Sequence, residues 1–295
     1  MRIVLLAAAL AAAAHAATAQ TPDTALWVRV GATLGALPTY EAGSIRFNRP
    51  RSDLAIRMAD VTFAPSLALT SWASFAPEVD TSWMVMGDLV VTTEELVRVE
   101  QSLAAEGLNI TAVHNHLAGE TPAVLYLHYH GHGAAEALAT SLARAPGQTG
   151  APRQGAAGLL VTVSIDTGSI HRMLGLPVRR SGKVGSVTAM LLGDPVRAAG
   201  NRIPPSLGLG SPINFQEVTI ERWVTTGDFA VTAERVQPLV RALVGGGITV
   251  TAVHSHLVGE EPAIYFLHFW GDGSPDALLR ALHDALEAAR TTARG

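Results

Sequence analysis

Residues 111–133 read TAVHNHLAGETPAVLYLHYHGHG, and residues 251–273 read TAVHSHLVGEEPAIYFLHFWGDG. The offset is 140 positions throughout: His114 answers to His254, His116 to His256 and His128 to His268. Each copy carries His-x-His, then Gly-Glu, a Pro, and an apolar run ending in another His. A stretch this specific, met twice, makes the chain a duplication, so one fold has to serve both halves.

The matching extends outward from the two copies. Residues 83–91, WMVMGDLVV, read as a strand carrying Gly87-Asp88, and the counterpart RWVTTGDFAV carries Gly227-Asp228. A helix follows each strand. Thr92-Thr93-Glu94-Glu95 places an N-cap and first-turn acids ahead of Leu96, Val99 and Leu103, and Gly107 stops the helix. Thr232-Ala233-Glu234 opens the second, with Val236, Leu239, Val240 and Leu243 on its apolar face and Gly245-Gly246-Gly247 at its end. Residues 134–145 and 275–289 read as further helices. The order strand, helix, strand, strand, helix is most of a split βαβ, or ferredoxin-like, unit.

Nearer the N-terminus, Asp23-Thr24 caps a short helix ending at Gly35, and Asp166-Thr167 caps its counterpart ending at Gly175. Residues 45–65 read as strands, because Ile56, Met58 and Asp60 alternate with Ala55, Arg57 and Ala59. Leu67, Leu69, Trp72 and Phe75 are expected in the core, and residues 206–216 form the partner segment. The expected fold is α+β, with two tandem related domains of split βαβ type and extra N-terminal strands. They span residues 20–145 and 158–295, joined by a Pro/Gly-rich linker at 146–157. Residues 159–165 read as one more strand.

The chain of 295 residues has room for two domains, and 48% hydrophobic with 16% charged residues fits globular folding. A net charge of −4 with no basic run argues against a nucleic-acid partner. Residues 1–19 combine Arg2, an apolar run and the small-residue site Ala17-Thr18-Ala19, the pattern of a cleavable signal peptide. The apolar run is too short for a membrane span, which takes about 20 residues. Export to a periplasm or the exterior is therefore expected, with no integral membrane segment after cleavage. With no Cys in the chain, disulfides, thiolate chemistry, Cys-rich zinc sites and lipid attachment through Cys are excluded.

Taken together, PRSDL at 50–54, SWASF at 71–75, MGDLVVTTEE at 86–95 and TAVHNHL at 111–117 resemble the LppY/LpqO family of exported bacterial proteins. In the second half INFQ at 213–216, TGDFAVTAERVQPL at 226–239 and residues 250–271 extend the resemblance over nearly all of the mature chain. The resemblance implies kinship, export and duplication, but no reaction.

The chemistry concentrates in the histidines. Residues i and i+2 of a strand share a face. His114 and His116 thus point one way, as do His254 and His256; Tyr126, His128 and His130 share a face, as do Phe266, His268 and Trp270. Paired neutral imidazoles at this spacing are a common start of a transition-metal site, for Zn, Cu, Mn or Fe. The candidate ligands are His114, His116, His128, His254, His256 and His268, with Glu120, Glu260, Asp88 and Asp228 as auxiliary carboxylates. A tight hairpin turning at 118–121 would set His114 opposite about residue 124, leaving His128 on the order of 13 Å away at ~3.3 Å per residue. Convergence then needs a wider loop, a bulge, or ligands from the other copy across a pseudo-dyad.

Three classes of function remain open at this level: a protein that binds a metal or small ligand, a metal-dependent hydrolase, and a structural module whose imidazoles hydrogen-bond internally. Gly87-Asp88 and Gly227-Asp228 read as strand bends, Arg51 and Asp53 as a surface pair, and Met84 and Met86 as core.

Overall fold

The computed structural model describes residues 23–78, 81–152, 165–198 and 200–290. The expected signal peptide, all but Ile165 of the expected strand at 159–165, and the end of the linker lie outside the described residues.

The first repeat opens with α1 (Thr24–Leu34), capped by the Asp23 carboxylate at the amides of Ala25 and Leu26 and ended by Gly35 at φ 68°. Then come β1 (Pro38–Glu41), β2 (Ser44–Pro50), β3 (Arg57–Met58), β4 (Val61–Thr62), α2 (Pro65–Ala68), β5 (Thr70–Pro77), β6 (Trp83–Thr92), α3 (Thr93–Ala105), β7 (Asn109–His114), β8 (Val124–Gly133) and α4 (Ala135–Arg144). The second repeat gives α5 (Thr167–Leu174), β9 (Arg179–Ser181), β10 (Val184–Ala189), β11 (Arg197–Ala198), β12 (Asn201–Arg202), β13 (Ser211–Thr219), β14 (Arg222–Thr232), α6 (Ala233–Gly245), β15 (Thr249–His254), β16 (Ile264–Gly273) and α7 (Pro275–Arg290). The capping box at Thr92 and Glu95 is present on α3.

Each repeat builds one six-stranded antiparallel sheet, in the order β1-β2-β5-β6-β8-β7 and its mirror in sequence β15-β16-β14-β13-β10-β9. Because β8 lies between β6 and β7, the unit β6-α3-β7 is a split βαβ, and β14-α6-β15 is its twin. The fold is α+β, as expected from the chain. The alternation at 55–60 is an exception. It yields only the two-residue pairings β3 and β4, with β11 and β12 as their counterparts, because this segment leaves the main sheet.

Helices cover one face of each sheet. Trp27, Phe75, Val85, Leu89 and Leu127 are among the buried residues on that side in the first repeat, and Phe229, Leu239, Phe269 and Leu282 in the second. The other faces meet each other. Two arms, residues 51–69 and the described residues of 190–210, are wedged between them in reciprocal fashion. Ile56, Phe63 and Leu67 of the first arm pack with Tyr126 of their own sheet and with Val184 and Val224 of the other. Ile203, Leu207 and Leu209 of the second pack with Phe266 and with Met84 and Met86 across the interface. Met84 and Met86 are thus core, as expected. Gln216 stitches the first arm down through both ends of its amide, accepting from Ala64 N at 2.7 Å and donating to Thr62 O at 2.9 Å. Among the described residues no helix is long and apolar enough to cross a membrane.

Arg51 overturns its sequence reading. It is 1% exposed, and its guanidinium binds Glu95 at 2.8 and 3.0 Å, Asp53 at 2.8 Å and the Val90 carbonyl at 2.6 Å. Asp53 and Arg51 are not a surface pair: chain reversal after β2 turns Arg51 inward, where only paired charge is tolerated.

Candidate metal centre

Between the two sheets, midway between the arms, the six imidazoles of the duplicated stretch come together. Ladder register accounts for their positions. Asp88 pairs with His128 and Asp228 with His268, so carboxylate and ring project from the same face of adjacent strands. On the edge strands His114 pairs with Tyr126 and His254 with Phe266, after a register shift between Ile110 and Ala112, repeated between Val250 and Ala252. The loops after β7 and β15 are wide, not tight. His114 therefore stands two residues from His128, and their ring centroids are 5.0 Å apart. The tight-hairpin geometry is thus corrected by a wider loop, a bulge and the opposite repeat acting together.

Each loop is clamped by its arm. Arg57 and Thr121 exchange backbone bonds at 2.9 and 2.8 Å, and Arg197 and Glu261 do so at 2.8 Å each way. The peptide bonds to Pro122 and Pro262 are cis in both copies. His116 lies flat on Tyr126 and His256 on Phe266, both with centroids 3.3 Å apart. Thr111, the bulged residue, donates its hydroxyl to the His256 carbonyl at 2.6 Å, and Thr251 donates to that of His116. The two edge strands are thus joined by a reciprocal pair of bonds.

Across the pseudo-dyad, the rings of His114 and His254 stack at 3.7 Å and those of His116 and His268 at 3.7 Å, while those of His128 and His256 lie tilted with centroids 3.8 Å apart. His268 Nε2 lies 3.2 Å from His114 Nε2. Three sets of ligand atoms fall within 4.8 Å of one another: His114, His128 and His254; His114, His116 and His268; and His254, His256 and His268. Among the described residues these sets are all-histidine. Asp88 and Asp228 flank them, at 3.7 Å from His116 Nε2 and 3.4 Å from His256 Nε2. Glu120 and Glu260 do not join the centre. Their carboxylates turn back to accept from Val124 N at 3.3 Å and Ile264 N at 3.0 Å, bracing the loop.

The Gly-Asp pairs are not bends: both sit in uninterrupted ladders. A Cβ on Gly87 would lie 2.1 Å from the Tyr129 hydroxyl and 2.4 Å from the Trp72 carbonyl; on Gly227 it would lie 2.2 Å from the Pro212 carbonyl. The glycine carbonyls have a second task. Gly87 O faces His128 Nδ1 at 3.3 Å and Gly227 O faces His268 Nδ1 at 3.0 Å. A carbonyl only accepts, so Nδ1 carries the proton and Nε2 keeps its lone pair toward the centre, the arrangement that orients a metal-ligating His.

Burial holds every one of the six imidazoles below its ordinary value, and for five of them neighbouring rings add to the effect. His128 is lowered to about 3 and, by burial alone, His254 to about 4; His114, His116, His256 and His268 are held well below the ordinary imidazole value. The rings are neutral at physiological pH and their lone pairs are available. Burial works the other way on the carboxyls, raising Asp88 to about 7 and Asp228 well above its usual range.

Polar accounting at the centre does not close with protein groups. His114 Nδ1, His116 Nε2, His128 Nε2 and both ring nitrogens of His254 and His256 are buried without a hydrogen-bond partner, as are Asp88 Oδ1 and Asp228 Oδ1. Each such atom costs about 1–3 kcal/mol when left unsatisfied. The centre thus has the composition and polarity to hold cations, and it is built from both repeats in equal measure. The sequence pointed to the six histidines and two aspartates. It did not reveal Thr111 and Thr251, whose place in the bulge depends on the cross-repeat contact.

A search of curated proteins finds no match. Two solved structures are similar over most of their length. A trimeric bacterial microcompartment shell protein, PduB, is 14% identical, with 87% of this chain and 91% of that one covered at a TM-score of 0.23. EtuB from Clostridium kluyveri is 11% identical, with 85% and 90% covered at a TM-score of 0.20. The model of a family described as Domain of Unknown Function (DUF1259) matches residues 28–147 and again 168–288, each match containing one half of the histidine centre, and the chain belongs to that family.

Proposed function

We propose that the protein binds transition metal through the imidazoles of its central cluster. The observation that carries this reading is the set of buried, neutral ring nitrogens without protein partners, converging from both repeats. A purely structural role would have each ring bonded to backbone or side chain, and only His128 and His268 find a backbone carbonyl within the cluster. The ligands would be drawn from His114, His116, His128, His254, His256 and His268, with Asp88 and Asp228 supplying negative charge beside them. All-imidazole sets suit Zn, Cu, Fe or Ni better than Mg or Ca, which take oxygen ligands. Export is part of the proposal, supported by the signal-like residues 1–19 and by the resemblance to LppY/LpqO proteins.

Elemental analysis of gently purified protein, before and after reloading, tests the reading. Wild-type protein is expected to retain zinc or copper, and the His114→Ala, His116→Ala double variant to retain less metal than wild type while keeping its circular dichroism spectrum. Metal-free wild-type protein that also refuses reloading refutes it. Intact mass of the exported product is expected to begin at Gln20.

A further inference from the structure

Resting on the reading that these imidazoles bind metal, we infer that the centre holds two ions, each shared between the repeats. One is bound by His114 and His116 of the first repeat with His268 of the second, the other by His254 and His256 with His128. The first set lies within 4.8 Å. The second is its image across the pseudo-dyad; its ligand atoms do not all fall within that limit, but two of its three ring separations repeat. The ring pairs His116–His268 and His128–His256 are 3.7 and 3.8 Å apart. Those of His114–His116 and His254–His256 are 5.1 and 5.0 Å apart. The third separation is looser, 5.2 Å for His114–His268 and 6.0 Å for His128–His254.

Ligand accounting favours two ions over one. A single four-coordinate ion on the dyad would use His114, His254 and the strand histidines, leaving His116 and His256 with buried, unpartnered nitrogens. Those two rings are the ones beside Asp88 and Asp228. Two ions employ all six imidazoles and give each ion one flanking carboxylate. The main chain favours sharing across the repeats. The Thr111 and Thr251 hydroxyls grip the His256 and His116 carbonyls, fixing each His-x-His against the opposite repeat. The competing partition keeps each ion within one repeat, since His254, His256 and His268 also lie within 4.8 Å.

Zinc or cobalt loading followed by elemental analysis separates the cases. Two ions per chain support the inference. One ion overturns it and leaves the metal reading standing, and none overturns both. Two double variants read the partition. With shared sites, His116→Ala with His268→Ala strips one site and keeps one ion, whereas His116→Ala with His128→Ala damages both sites and keeps none. The opposite pattern means that each repeat holds its own ion. Should either variant misfold by circular dichroism, wild-type protein loaded with Cu(II) decides the count by electron paramagnetic resonance. Spin-coupled copper, seen as a lost or half-field signal, supports the pair, and an uncoupled one-ion spectrum overturns it.

Discussion

The two repeats agree at their centre and part company at their edges. Gly-Asp, His-x-His and the strand His keep the same ladder positions in both halves, down to the ring-to-carbonyl contacts at Gly87 and Gly227. Away from it, position 51 is a buried Arg held by Glu95, while the equivalent positions 191 and 235 are Leu and Arg. There the second repeat has a cavity of about 220 Å³ lined by Leu191, Gly193, Thr232 and Arg235. His130 and His132 become Trp270 and Asp272. His132 pairs with Glu78, whereas Asp272 takes Arg222, which also reaches Asp60 of the first arm. Trp270 packs on Phe63 instead of offering a ring nitrogen. The contrast teaches that the demand common to both halves is the geometry of the centre, and that stability is met differently in each.

The largest effect should come from acid acting on the shared centre. Unfolded, its six rings titrate near pH 6.5, while folded His128 and His254 stay neutral to about 3 and 4. Between these values the unfolded chain binds the protons, so stability falls as pH drops, by about 1.4 kcal/mol per pH unit for each net proton. Asp88, raised to about 7, opposes this because its folded form takes the proton first, but two carboxyls are outnumbered by six rings. Thermal melts of chelator-treated protein at pH 7.5, 6 and 5 should show a steep decline, and His114→Ala with His254→Ala should flatten it. A profile as flat as the variant's would break the comparison at its shared end.

Next in size is Arg51→Ala, which leaves Glu95 buried without its cation and should cost about 3 kcal/mol in urea unfolding. Leu191→Ala, at the equivalent position beside an existing cavity, should cost about 1 kcal/mol. Equal costs would mean the edges differ in appearance only. Gly87→Ala and Gly227→Ala should each cost about 1–3 kcal/mol by overpacking and should lower metal retention alike. Unequal metal loss would expose an asymmetry between the halves. The smallest effects belong to His132→Ala and Asp272→Ala. Loss of these surface contacts should change stability by under about 1 kcal/mol, with metal content unaltered.

Much of this was legible in the chain. Local signals carried the helix caps at Asp23, Asp166 and Thr92, the split βαβ order, and the six histidines as candidate ligands. What stayed hidden depends on contacts between distant residues. The register of His114 against Tyr126 follows from loop width and from the bulge, which the Thr111 bond to the other repeat accompanies. Arg51 looks like any surface charge until β2 turns it under α3 onto Glu95. Glu120 sits in the same motif as the histidines, yet its nearest donor is the Val124 amide four residues on, and a short local bond directs it away from the centre.

The reciprocal arms also govern when the protein can finish folding. Residues 51–69 leave the ribosome early, but the surfaces they seal include Val184 and Val224, and the first sheet's Met84 and Met86 wait for Ile203 and Leu207. At about 5–20 residues per second, the roughly 140 residues of offset correspond to a delay of roughly 7–28 s during which the first repeat has an open apolar face. If the proposed export holds, such a pause serves it, because a half-made protein that cannot close remains threadable.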